Sequence, residues 1–201
     1  MLWASSSPGQ KDLNTNPTKS FILGGTSAGA NFTAVLAHRY HHTPPSLPHP
    51  HPPLTSLLFL AGSYCHPAVL PPHLLPHILS VNEVTSAPGL SASSINYFYE
   101  KYGSPPKDDI RYSPLLHAEE SWNEVAQKAY FAICGWDPRR DEGIVFAGIL
   151  RAQGLEVRER VYVGLPHGFW TTCPDLEVSW GWERDCVEGV GWLLGEGGDG
   201  V

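Results

Sequence analysis

The chain of 201 residues carries a formal net charge of -7 and 42% apolar residues, enough to build the core of one globular domain. An acidic chain without a basic patch is a poor match for nucleic acid or an anionic membrane surface, which argues against either as the natural partner. The N-terminus has no basic segment leading into an apolar core, and nowhere do eighteen apolar residues run uninterrupted, so neither a secretory signal nor stable membrane insertion is expected. Cys65, Cys134, Cys173 and Cys186 form no CxxC pair and no zinc-type spacing, a pattern that fits reduced, mostly buried thiols in a cytoplasmic protein.

Residues 1 to 19 are mostly polar and rich in Gly, Pro, Ser and Asn, with Leu2-Trp3 as the apolar pair. They predict a short helix end and a loop, and carry no chemistry. From Ser20 to Ala37 an apolar run of strand length meets Gly25-Thr26-Ser27-Ala28-Gly29, and a small-residue helix former follows at once. Strand, sharp turn and helix in that order make a nucleophile elbow, which holds Ser27 in a strained conformation over the end of a sheet. Strand and helix are then expected to approach too closely for side chains at both Gly25 and Gly29. The helix aims its free N–H groups at the serine, with that of Ala28 as an oxyanion-hole donor.

The helix is predicted to run through about Tyr40. The segment His41 to Pro53 that follows is interrupted by prolines and carries four histidines, which lack the fixed geometry of a metal site, so no metal is expected there. Leu54–Ala61 reads as a buried parallel strand. Residues 63–125 then change to short helical pieces, Ala68–Ser80 and Ser91–Tyr102, and a loop with Tyr112-Ser113-Pro114-Leu115-Leu116. This aromatic-rich stretch is expected to be a helical lid inserted between core strands, with Tyr97, Phe98, Tyr99 and Tyr102 covering a pocket. Lys128–Gly135 is the next buried strand, with Asp137 just past its carboxyl end, where an open parallel sheet gathers catalytic groups. A helix Glu142–Ala152, closed by Gly154, leads to an alternating and therefore edge-like strand Glu156–Val163 and then to Leu165-Pro166-His167-Gly168-Phe169-Trp170. The last helix, Leu176–Leu194, repeats Trp180, Val187, Val190 and Leu194 at near-helical spacing, and residues 195–200 form a glycine-rich tail.

A serine hydroxyl needs an imidazole to take its proton and a carboxylate to orient that imidazole. Ser27, Asp137 and His167 each follow a predicted parallel strand, which places all three at one edge of one sheet. Singly, Asp137 reads equally well as a helix-capping carboxylate and His167 as a loop histidine; the three placements together point to a catalytic triad in the chain order of the α/β-hydrolases.

At these residues the sequence resembles the hormone-sensitive-lipase-like branch of the α/β-hydrolases, the fold-3 hydrolases with many fungal esterases. Four motifs in order carry the resemblance: Gly25-Thr26-Ser27-Ala28-Gly29, Ser113-Pro114-Leu115-Leu116, Asp137-Pro138-Arg139-Arg140-Asp141-Glu142-Gly143 and Pro166-His167-Gly168-Phe169. The resemblance implies one α/β domain over 1–201, a mostly parallel sheet flanked by helices, with the lid at 63–125. It implies a serine carboxylesterase acting on short to medium acyl esters through an acyl-enzyme, with Ser27 as nucleophile, His167 as base and Asp137 as orienting acid. No cofactor is required, the partner is a small-molecule ester, and a homodimer is compatible with the pattern.

Two departures, Arg139 where the pattern has Leu and Ala30 where it often has Gly, read as tolerable. A third weighs more: about a hundred residues that precede the elbow in the family, including the loop that supplies half of the oxyanion hole, have no counterpart before Ser20. The chain is therefore expected to be truncated at its N-terminus and catalytically impaired as it stands. The alternative is a non-catalytic hydrolase-like fragment or small-molecule-binding relative, of the kind found among plant hormone receptors on this scaffold.

Overall fold

Apolar runs interrupted by glycine or a polar turn become four strands: β1 (Ile22–Thr26), β2 (Ser56–Leu60), β3 (Lys128–Trp136) and β4 (Glu156–Pro166). In the computed structural model, which describes residues 1–42, 52–103, 109–117 and 121–196, they form one sheet in the order β1-β2-β3-β4. Every pairing is parallel, as the sequence predicts. Parallel neighbours need long crossovers, and helices supply two of them. With α1 (Leu2–Ser5) and α2 (Ser7–Leu13) ahead of the sheet, α3 (Ala28–His41) joins β1 to β2. The β2 to β3 connection holds α4 (Ser80–Glu83), α5 (Ala92–Tyr102) and α6 (Trp122–Val125), and α7 (Arg140–Ala152) joins β3 to β4. After β4 come α8 (Phe169–Thr172) and α9 (Glu177–Leu194).

Strand alternation divides the core into two layers. Ala129, Phe131 and Ile133 of β3 face α3 and α7, where they pack with Ala34, Phe59, Phe146 and Leu150. Tyr130, Ala132 and Cys134 point the other way, into a cluster with Tyr162, Phe169, Trp182 and Trp192. Both faces of β3 are covered, which explains its unbroken apolar run; β4 pairs only with β3, and Val163 near its end is 86% exposed.

The structure departs from the sequence reading in two elements. Residues 68–80 are not one helix: they make 3-10 turns at Pro67–Val69 and Leu75–His77 before α4 begins, because Pro71, Pro72 and Pro76 remove donors that a continuous helix would need. In α9 the buried line is Ser179, Trp182, Gly189, Trp192 and Leu193, whereas Trp180, Val187 and Leu194 are exposed. Gly189 is what lets this face approach the sheet, since a Cβ there would stand 2.9 Å from the Tyr130 ring.

The proline and histidine segment at 43–51, residues 104–108 and 118–120 of the insertion, and the tail from 197 lie outside the described residues. Among the described residues no helix is long and apolar enough to cross a membrane, and no group of His, Cys, Asp and Glu is placed to hold a metal ion. All four cysteines are free thiols; Cys65 and Cys134 are buried, Cys186 is half-buried and Cys173 is exposed. Burial pushes the Cys65 and Cys134 thiols up to about 12, which keeps them protonated and unreactive.

Candidate active site

β1 delivers Ser27 to the carboxyl end of the sheet. Its backbone lies at φ 56 and ψ -119, a region that non-glycine residues occupy only when the surroundings enforce it. Two contacts do so here: the Ser27 N–H donates to the Leu60 carbonyl at 2.8 Å, and Gly25 admits the returning helix. A Cβ on Gly25 would stand 2.2 Å from the Gly29 carbonyl oxygen. The same steric reason fails for Gly29, where nothing lies within 4 Å of the Cβ position. Ala28 begins α3, so its N–H has no acceptor inside the helix and remains available beside the Ser27 hydroxyl.

Asp137 and His167 arrive from β3 and β4 at matching height. Trp136 of β3 pairs with Pro166 of β4 after a register shift, and Asp137 and His167 are the next residues on each chain. Asp137 is only 2% exposed. Its Oδ1 accepts the Arg139 N–H at 2.8 Å, leaving Oδ2 to face His167 Nδ1 at 2.6 Å. His167 Nε2 then lies 3.0 Å from Ser27 Oγ. The imidazole is thus aligned at both nitrogens, with Asp137 favouring the tautomer that leaves Nε2 free to accept. On the lid side its backbone abuts Gly89, where a Cβ would stand 2.4 Å from the His167 carbonyl oxygen.

Two further carboxylates of the same motif are engaged elsewhere. Asp141 Oδ2 accepts the N–H groups of Leu79 and Ser80 at 2.8 and 2.7 Å, and its Oδ1 takes Arg140 Nε at 2.8 Å. Burial opposes ionisation of Asp141, but the Arg140 bond and the two N–H bonds outweigh it and hold the carboxyl below its usual range. Glu142 is 2% exposed; burial pushes its carboxyl up, against the pull of Arg139 and of the Tyr64 and Cys65 N–H groups on Oε2. None of these bonds reaches His167.

A cavity of about 480 Å³ opens over Ser27, Ala28 and His167, within the size range of small-molecule sites. Its wall is mostly apolar: Phe32 from α3, Leu90, and Ile95, Phe98, Tyr99 and Tyr102 from α5. Tyr97, expected among the covering aromatics, turns aside to pack on Phe98 at 5.9 Å and under Lys101. The residue that sequence reasoning passed over is Arg139, which is 3% exposed and lines this cavity. Its side chain reaches Ser63, Cys65 and Tyr99. A charged residue two places after the acid, in a segment about to be buried, was the available signal.

A family model described as alpha/beta hydrolase fold matches residues 1–171. An AB hydrolase superfamily protein of Schizosaccharomyces pombe is 35% identical over 182 residues, covering 90% of this chain and 51% of that protein. Versiconal hemiacetal acetate esterase of Dothistroma septosporum is 24% identical over 197 residues, covering 96% of this chain and 56% of that one. Among solved structures, vibralactone cyclase is similar at 31% identity with a TM-score of 0.83, over 96% of this chain and 54% of that one. The chain spans about half the length of the curated relatives it matches. The family match runs through the elbow, Asp137 and His167, and the parallel sheet places those loops at one edge: the chain belongs to the alpha/beta hydrolase fold family.

Proposed function

We propose that this chain carries the catalytic centre of a serine hydrolase that cleaves carboxylic esters with short to medium, neutral acyl groups. The observation that carries the reading is the line from Ser27 Oγ through His167 to Asp137, at 3.0 and 2.6 Å. The Ser27 hydroxyl donates to Nε2, gives up its proton as Oγ attacks the ester carbonyl, and the new imidazolium is held by Asp137. The tetrahedral intermediate puts negative charge on the former carbonyl oxygen, next to the Ala28 N–H and the N-terminus of α3. His167 then returns its proton to the departing alcohol. Water, deprotonated by the same imidazole, releases the acid from the acyl-serine.

The segment 63–125 acts as the lid, because α5 lends the cavity five of its lining residues, Ile95, Phe98, Tyr99, Lys101 and Tyr102. Neutral acyl groups fit it best, since the charged groups around it are already engaged: Arg139 by Glu142 at 2.9 Å, Arg111 by Asp109, and Lys101 over the Tyr97 ring. That one relative is named an acetate esterase agrees with a short acyl group and with water as acceptor. A binding-only protein gains nothing from an imidazole aligned on a serine, so this alignment favours hydrolysis over the non-catalytic reading.

The test is labelling with a fluorophosphonate probe, followed by mapping of the modified peptide. Modification at Ser27 that disappears in Ser27→Ala and is slowed in His167→Ala is the expected outcome. Labelling that persists in Ser27→Ala would overturn the assignment.

A further inference from the structure

α5 forms much of the cavity wall yet has little to hold it there. Of its residues only Ile95 is buried, while Tyr97, Phe98 and Tyr102 are each more than half exposed. Among the described residues it packs closely along no other helix or strand. Two hydrogen bonds tie α5 to its own insertion, Ala92 N–H to the Thr85 carbonyl at 3.3 Å and the Tyr112 hydroxyl to the Tyr102 carbonyl at 3.5 Å; among the described residues its side-chain attachment to the loop after β2 and to Arg139 is Tyr99. The Tyr99 hydroxyl donates to the Cys65 carbonyl at 3.2 Å and accepts from Arg139 Nη2. Its ring lies 4.0 Å from that of His66 and 5.5 Å from the Arg139 guanidinium.

Arg139 is built to be such an anchor. Nε and Nη2 donate to Ser63 Oγ at 3.0 and 2.6 Å, Nη2 reaches the Cys65 carbonyl at 2.7 Å, and Nη1 pairs with Glu142 Oε1 at 2.9 Å. Glu142 in turn takes the N–H groups of Tyr64 and Cys65, and the Ser63 carbonyl accepts from Asn31 Nδ2 at 3.1 Å. One buried cation therefore gathers the loop after β2, the start of α7 and the lid helix. Its charge is balanced by Glu142 whether or not Tyr99 is present, so the Tyr99 bond can be lost without leaving a buried charge unpaired. Meanwhile its backbone N–H serves Asp137.

We infer that Arg139 and Tyr99 form a specificity-determining tether: by pinning α5 to the loop after β2, they fix the wall against which the acyl chain of the ester lies. The inference rests on the hydrolase reading above. Within it, Arg139 is a positioning residue that acts through Tyr99, and the two together set how much of a longer acyl chain is held. An acetyl group, lodged at Ser27, touches little of that wall. An octanoyl group must lie along it.

The experiment compares p-nitrophenyl acetate and p-nitrophenyl octanoate in the full chain, in Tyr99→Phe and in Arg139→Lys. Tyr99→Phe deletes the hydroxyl and keeps the ring; Arg139→Lys keeps a cation for Glu142 but cannot span Ser63, Cys65 and Tyr99 together. In both variants the octanoate to acetate ratio of kcat/KM should fall about tenfold, the scale of one lost hydrogen bond to a charged group, with the change carried by KM for octanoate. A purely structural role would lower kcat on both esters alike and leave the ratio unchanged, which overturns the inference. Hydrogen exchange of the same variants gives a readout independent of catalysis: amides of α5 should exchange faster while those of β3 and α7 keep their protection, and unchanged protection of α5 overturns the tether. If the unaltered chain hydrolyses neither ester and Ser27 resists the fluorophosphonate, the hydrolase reading fails, and hydrogen exchange still decides whether Tyr99 holds the lid.

Discussion

The serine, histidine and aspartate at the sheet edge and the aromatic wall of α5 bound the same cavity, but they are secured in opposite ways. Each of the three follows a hydrogen-bonded strand, and the buried Asp137 is held at both oxygens. The wall stands on a helix whose aromatic residues are mostly exposed and whose side-chain tie to the loop after β2 and Arg139 runs, among the described residues, through Tyr99. An over-determined constellation tolerates no displacement, because reacting atoms must meet within a few tenths of an ångström. An under-determined wall can shift by more than that and still exclude water. Substitutions at the first should therefore abolish turnover, and substitutions at the second should redistribute affinity among substrates.

The sharpest break in that comparison comes from two aspartates four residues apart. Asp137→Asn should lower the turnover number by roughly 10⁴-fold, because an amide holds the imidazole in the wrong tautomer. Asp141→Asn leaves one acceptor oxygen where two are used, so either Arg140 or the Leu79 and Ser80 N–H groups lose their partner; it should cost about 1 to 3 kcal/mol of stability while leaving turnover close to that of the parent chain. Kinetics and thermal denaturation on the two variants check this. If Asp141→Asn proves the more damaging to turnover at an unchanged circular-dichroism spectrum, the orienting acid is misassigned.

The same contrast explains what was legible in the sequence. β1, the elbow and α3 are contiguous, and β2 and β3 are buried on both faces, so local pattern alone identifies them. Asp137 and His167 could be found because each lies a few residues past a strand read from the sequence. Arg139 could not be read the same way: its partners Ser63, Cys65 and Tyr99 lie far off in the chain, and as a solitary departure from a motif it looked tolerable. The α9 face was misread for a related reason. Trp180 and Val187 are as apolar as Trp182 and Trp192, and only the position of Gly189 over Tyr130 decides which line meets the sheet.

At the elbow the comparison narrows to two glycines. Gly25→Ala must push a Cβ into backbone at 2.2 Å, and backbone of a strand and a helix packed at the core has little room to give. A loss of about 1 to 3 kcal/mol is expected, or several degrees in Tm for a chain of this size. Fluorophosphonate labelling of Ser27 should slow as well, since the strand and helix that hold its strained backbone are forced apart. A Gly25→Ala chain with the parent's Tm and labelling rate would show that the elbow is looser than these contacts imply.

The smallest effect has the opposite sign. Gly29 carries no positive φ, a Cβ there meets nothing within 4 Å, and it is not among the residues lining the cavity. It lies in the first turn of α3, with its carbonyl accepting the Thr33 hydroxyl at 2.9 Å, a bond that alanine leaves in place. Alanine is favoured over glycine in a helix by at most about 1 kcal/mol, part of it through the unfolded chain. Gly29→Ala should therefore raise Tm by up to about 2 to 4 °C and leave the rate of Ser27 labelling unchanged, where Gly25→Ala lowers both. A fall in Tm for Gly29→Ala would mean that the two flanking glycines answer to one steric demand after all, as the bare pattern suggests. A rise in Tm with slower labelling would mean instead that the second glycine is kept for the chemistry at Ser27 rather than for the packing of strand on helix.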